Sequence, residues 1–160
     1  MCDDGAVLMD STLILEYAQS LADLGRSLMP AGVAEKQRAL RVIGLGLAAC
    51  EKSVQIIYER NLRPAEKQHE PWIARVTGQL LAAYRGLEEE MSRPSFGGQA
   101  GPIDQAGITT AVAWYFTQTM LPDVVAASAF PVLARFSAAS EQLAEFRAAP
   151  HGAGTYPQPH

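Results

Sequence analysis

The chain has 160 residues, a net charge of −4 and a hydrophobic share of 48%. That length suits one domain, or one domain with a fragment of a second, and is enough to bury a core. With both signs interspersed and no basic stripe, the composition speaks against nucleic acid as a partner.

Cys2 and Cys50 stand in no metal or redox spacing. A disulfide between them stays open, and two cysteines in a chain of this size suit a reducing cytoplasm. His69, His151 and His160 have no i,i+4 partner, which argues against a metal site. The opening residues are acidic, with no basic region ahead of an apolar one, so no signal peptide is expected.

In chain order, Asp3-Asp4-Gly5 reads as a turn, Ala6–Met9 as a short apolar strand and Asp10-Ser11 as cap residues. Thr12–Leu21 carries helical spacing through Leu13, Ile14, Tyr17 and Leu21. No second strand follows downstream, and a lone strand leaves its backbone groups without a ladder. A strand entering a helix through Asp-Ser offers free N–H groups and a positive dipole end to a carboxylate or phosphate. Asp10 adds a negative charge at the same spot, so the pair suits an amino-acid zwitterion. The plainer alternative is a capped helix in which Ser11 bonds a backbone N–H two or three residues on, and spacing alone favours it.

Leu24–Ala34 is a linker punctuated by Gly25, Pro30 and Gly32. Glu35–Leu62 reads as a long helix with a stripe of Leu40, Ile43, Leu47, Cys50, Val54, Ile57 and Asn61. Val42, Leu45, Ala49 and Ile56 give it a second apolar face, so it needs two neighbours. Gly44 and Gly46 allow close approach, at a helical cost of roughly 1 kcal/mol each. Glu70–Met91 is the next helix, with Pro71 in its first turn and a stripe of Trp72, Val76, Leu80, Tyr84, Leu87 and Met91. Glu88, Glu89 and Glu90 read as a solvated face.

Gln105–Pro122 holds no charged residue and approaches the length of a membrane span. Its threonines and glutamines, and the lack of Lys/Arg flanks, point instead to a helix buried on all sides of a bundle. Gly101 is the expected N-cap, Pro102 the first helical residue and Asp104 the third, its carboxylate reaching back to free N–H groups. Phe130-Pro131-Val132-Leu133 restarts an amphipathic path to Pro150, and 151–160 is a polar tail.

The order of turn, strand, Asp10-Ser11 and a helix with Ile14-x-x-Tyr17 resembles the end of the thioredoxin-like domain of glutathione transferases. Leu28-Met29-Pro30 is similar to the connection into their all-helical domain. Glu59-x-x-x-Arg63-Pro64, a spacer and Trp72-x-x-Arg75 resemble a pattern of one bacterial group, with Val76 where Gln is usual. Asp104 matches the capping aspartate of the central helix, and Gly101 departs from the Ser/Thr expected before it.

The resemblance implies an all-α bundle of the glutathione-transferase C-terminal type, preceded by a strand-helix remnant of a thioredoxin-like domain. The implied division is remnant 1–24, linker 25–34, helical domain 35–150 and tail 151–160. It also implies glutathione as substrate, with Asp10 on the γ-glutamyl amino group and Ser11 on its carboxylate. A small hydrophobic electrophile, a homodimer and the cytoplasm follow in the same way, with no metal, no nucleic acid and no membrane. Nothing in the chain matches the family's thiol-activating Ser, Tyr or Cys, so little transferase activity is expected of it alone. The alternative is a non-catalytic helical module for dimerisation or protein interaction. A repressor-type ligand-binding domain fits less well, since no helix-turn-helix with a basic face is present.

Overall fold

The computed structural model describes residues 5–22, 27–93 and 103–149. Among the described residues six α-helices follow one another: α1 Ser11–Leu21, α2 Val33–Leu62, α3 Glu70–Met91, α4 Gln105–Met120, α5 Pro131–Ser140 and α6 Ala144–Ala148. The class is all-α, as expected. Ala6–Met9, expected as a strand, lies in neither helix nor strand among the described residues.

α2 and α3 form an antiparallel pair held at both ends. At one end the Glu59 carboxylate accepts the N–H of His69 (3.0 Å) and pairs with Nε of Arg63 (2.9 Å). Gln68 donates to the carbonyls of Arg60 and Arg63, covering acceptors that the end of α2 leaves open. Arg63 itself is extended, as a residue before proline should be. The Glu-x-x-x-Arg-Pro pattern is therefore a helix-hairpin device. Trp72, near the start of α3, is 42% exposed, whereas Glu59 is buried.

At the other end Glu90 is 1% exposed and accepts from Nε of Arg41 (2.6 Å), with Arg93 beside it. This corrects the reading of Glu88–Glu90 as a solvated face. Glu88 is also engaged: its two oxygens accept the N–H groups of Val132 (2.8 Å) and Leu133 (3.0 Å). It thus supplies from α3 the cap that α5 lacks in its own sequence. Only Glu89, whose exposed carboxylate meets Arg93, fits the original reading.

α4 runs parallel to α2, since Gly46 faces Thr109 and Ser53 faces Thr117. The core between α2, α3 and α4 holds Val42, Ile56, Leu80, Tyr84, Leu87 and Trp114. Tyr84 stacks edge-on against Trp114 at 5.4 Å, and Phe130 closes the trio. Its hydroxyl donates to Oγ1 of Thr117 (2.6 Å) and lies 3.0 Å from the carbonyl of Ala113, while Thr117 meets Ser53 at 2.8 Å. One buried polar chain therefore joins the three long helices.

The buried face of α2 is Ala39, Val42, Gly46, Ala49, Ser53, Ile56 and Glu59. The stripe of larger residues lies to the side, with Leu40 53% exposed and Leu47 40%. α4 is likewise not buried all round among the described residues, since Val112 and Met120 stand open. No helix among the described residues is long and apolar enough to cross a membrane.

Asp104 caps α4, but as the N-cap itself, three positions earlier than expected. Its Oδ1 accepts the N–H of Gly107 at 2.8 Å. Gly101 and Pro102 lie outside the described residues. Asp104→Ala leaves a half-buried N–H without that acceptor and should lower unfolding stability by about 1 kcal/mol or more in urea titrations. An unchanged midpoint would refute the cap.

Candidate functional site

The N-terminus of α1 places both sequence-predicted residues at one spot. Asp10 is the N-cap, its Oδ1 accepting the N–H of Thr12 at 2.9 Å. Ser11 is the first helical residue, so it is Asp10 and not Ser11 that performs the capping. Both are exposed. Among the described residues, the hydroxyl and N–H of Ser11 make no hydrogen bond.

Asp10 has φ 73° and ψ 122°, the one positive φ at a non-glycine position among the described residues. A left-handed φ at a residue with a side chain costs on the order of 1–3 kcal/mol, and such strain concentrates at binding sites. Ser11 is therefore exposed at the positive end of the helix dipole.

Leu28 fixes α1 to the bundle. Its N–H donates to Oε1 of Gln19 on α1 (2.8 Å), and its carbonyl accepts the N–H of Gln105 at the start of α4 (3.0 Å). Met29, next in line, packs against the core. The Leu-Met-Pro connection therefore holds the Asp10–Ser11 corner in register with the helical domain.

Between α1 and α2 lies a cleft of about 440 Å³, lined by Ser11, Thr12, Leu15, Lys36, Leu40 and Thr109, among others. Lys36 was not singled out in the sequence, because a lone lysine near a helix start carries no pattern. The half-exposed stripe of α2 forms the apolar wall of this cleft, which accounts for its spacing.

Elsewhere, Cys50 is a free, half-buried thiol, and burial pushes its pKa up, away from thiolate at neutral pH. Cys2 lies outside the described residues. No group of three or more His, Cys, Asp or Glu that could hold a metal occurs among the described residues.

No family model and no curated protein matches the chain. Solved structures do. A glutathione transferase family member from Pseudomonas fluorescens, with S-(propanoic acid)-glutathione bound, is 28% identical with a TM-score of 0.79. That match covers 92% of this chain and 73% of the other. A glutathione transferase family member from the same species, with glutathione bound, gives 28% identity and a TM-score of 0.80 over 92% of this chain and 69% of the other. A glutathione S-transferase from Methylobacterium radiotolerans, in complex with glutathione sulfonate, is 19% identical with a TM-score of 0.82. That one covers all of this chain and 74% of its own. The resemblance found in the motifs thus holds in three dimensions: the chain is glutathione-transferase-like, an all-α bundle of the type that forms the C-terminal domain of those enzymes.

Proposed function

We propose that this chain is the helical part of a glutathione transferase-like protein and carries half of a glutathione site at Asp10 and Ser11. The observation that carries the reading is the likeness, over 92% of the chain, to Pseudomonas fluorescens family members that hold glutathione or its S-propanoate. The local chemistry agrees with it. The γ-glutamyl end of glutathione is a zwitterion; its carboxylate suits the N–H and hydroxyl of Ser11 at the start of α1. Its ammonium suits the Asp10 carboxylate, which has a second oxygen beyond the one engaged by Thr12.

Turnover requires a group that stabilises the glutathione thiolate. No described residue near the α1 N-terminus offers one, and Cys50, with its raised pKa, sits on α2. On this reading the isolated 160 residues bind glutathione weakly and conjugate little. The electrophile is small and hydrophobic, the assembly a homodimer and the compartment the cytoplasm. A second reading, a non-catalytic module for dimerisation or protein contact, draws on α1, where Leu13 is 61% and Leu21 70% exposed.

Calorimetric titration with glutathione decides between them. Binding at millimolar strength or better is expected, weakened about tenfold by Ser11→Ala, the loss of one hydrogen bond to a charged group. Asp10→Asn keeps an acceptor for Thr12 but removes the charge, so it should weaken binding without moving the melting temperature. No heat with the parent chain would leave the module reading in place. Unchanged affinity in both variants would remove Asp10 and Ser11 from the site.

A further inference from the structure

Polar groups are unevenly placed in the cleft between α1 and α2. Away from the Ser11 corner most of them are already engaged. Oε1 of Gln19 accepts the Leu28 N–H, Ser27 bonds the backbone of Met29, and Gln105 and Thr109 bond one another. Two charges remain on the walls, Glu16 and Lys36, and neither enters an ion pair among the described residues. Lys36 stands at the head of an apolar stripe, since Leu40, Ile43 and Leu47 follow it at i+4, i+7 and i+11 on one face of α2. From Lys36 to Leu47 that face runs about 16 Å along the helix.

We propose that this cleft binds an apolar carboxylic acid, its body along Leu40, Ile43 and Leu47 and its carboxylate on Nζ of Lys36. That the electrophile offered to glutathione carries such an acid rests on the Asp10–Ser11 reading above; the acid site itself does not.

Three observations select this ligand. The Lys36 ammonium has three donors and no acceptor of its own, so an anion at the end of the stripe completes it. Glu16 lies on α1, whose cleft side continues as Ala18, Gln19 and Ala22, so an amine held there finds no comparable apolar wall. The chain at Leu28 and Met29 walls the cleft where it crosses from α1 to α4, which closes that side to a long polypeptide. The volume of about 440 Å³ falls instead among small-molecule sites, which span roughly 300–1,000 Å³.

The test titrates the full chain calorimetrically at low salt, without glutathione, using octanoate, octanol and octylamine. Octanoate should bind about tenfold more tightly than octanol, the effect of one charge-assisted hydrogen bond, and octylamine most weakly. Lys36→Gln, at an exposed position, should bring octanoate down to the affinity of octanol, with octanol binding and the circular-dichroism melt unchanged. Lys36→Glu should reverse the order, octylamine then exceeding octanoate. Equal affinity for octanoate and octanol, or no heat from any of the three, overturns the proposal. So does a preference for octanoate that survives Lys36→Gln, or tightest binding of octylamine, which would give the headgroup to Glu16. Glutathione heat lost in Lys36→Gln would assign the lysine to the tripeptide and overturn it equally. Octanoate heat without glutathione heat supports the acid site and fails only the Asp10–Ser11 reading.

Discussion

Tyr84→Ala is expected to remove about 3–5 kcal/mol of stability, a large share of what a domain of this size has. The side chain is wholly buried at the meeting point of α2, α3 and α4. Its loss deletes the ring that Trp114 and Phe130 pack against and leaves a cavity that neighbouring helices cannot close. Tyr84→Phe separates ring from hydroxyl and should cost about 1–2 kcal/mol. There Thr117 keeps Ser53 as a partner, so little is left unsatisfied.

The same hydroxyl gives a pH signature. Burial is the main cause that raises its pKa above the ordinary value; Cys50 adds to the rise and the Thr117 hydrogen bond opposes it. A folded-state pKa above the unfolded one, near 10, means the neutral phenol contributes fully below about pH 10. That contribution is lost as pH rises further toward the folded pKa. Denaturant midpoints between pH 8 and 11 should therefore show the gap between parent and Tyr84→Phe narrowing above pH ~10, at up to about 1.4 kcal/mol per pH unit. A constant gap would mean that water reaches the phenol.

Helix existence was legible because each long helix repeats apolar residues at three and four, a local property that packing only reinforces. Which face goes inward was less legible. Hydropathy weights Leu40 and Leu47 on α2, whereas the buried face joins Val42, Ala49 and Ile56 of the second apolar face to Ala39, Gly46 and Ser53. Small residues win there because they let α3 and α4 approach closely, a gain that appears only once the neighbours are in place. Glu88 and Glu90 were misread for a related reason. Three successive glutamates on a helix point about 100° apart, so not all can share one solvated face. Glu90 turns inward only because Arg41, distant in sequence, arrives beside it. At the candidate site, cap chemistry at Asp10-Ser11 was readable, while the left-handed φ of Asp10 and the Gln19–Leu28–Gln105 tether were not. They depend on how the chain returns to α4.

The pair Gly44 and Gly46 carries that lesson into a measurement. Sequence treats them alike, two glycines in one helix that permit close approach. In the fold a Cβ on Gly44 meets nothing within 4 Å, whereas one on Gly46 lies 2.8 Å from the Thr109 methyl and 3.6 Å from its backbone oxygen. Thr109 has little room to yield, because its hydroxyl is held by the Gln105 carbonyl at 2.8 Å. Gly46→Leu must push α4 off α2, and should cost about 3 kcal/mol even after the better helix propensity of leucine is credited. The shift should also strain the Ser53–Thr117–Tyr84 chain further along the same interface. Gly44→Ala has no such conflict and should gain up to about 1 kcal/mol by restricting the unfolded chain. Urea unfolding of the two variants side by side therefore predicts opposite signs. A gain in Gly46→Leu would mean that α4 does not lie against Gly46, and the parallel α2–α4 packing on which the core rests would have to be redrawn; a loss in Gly44→Ala would mean that the space beside Gly44 is not open.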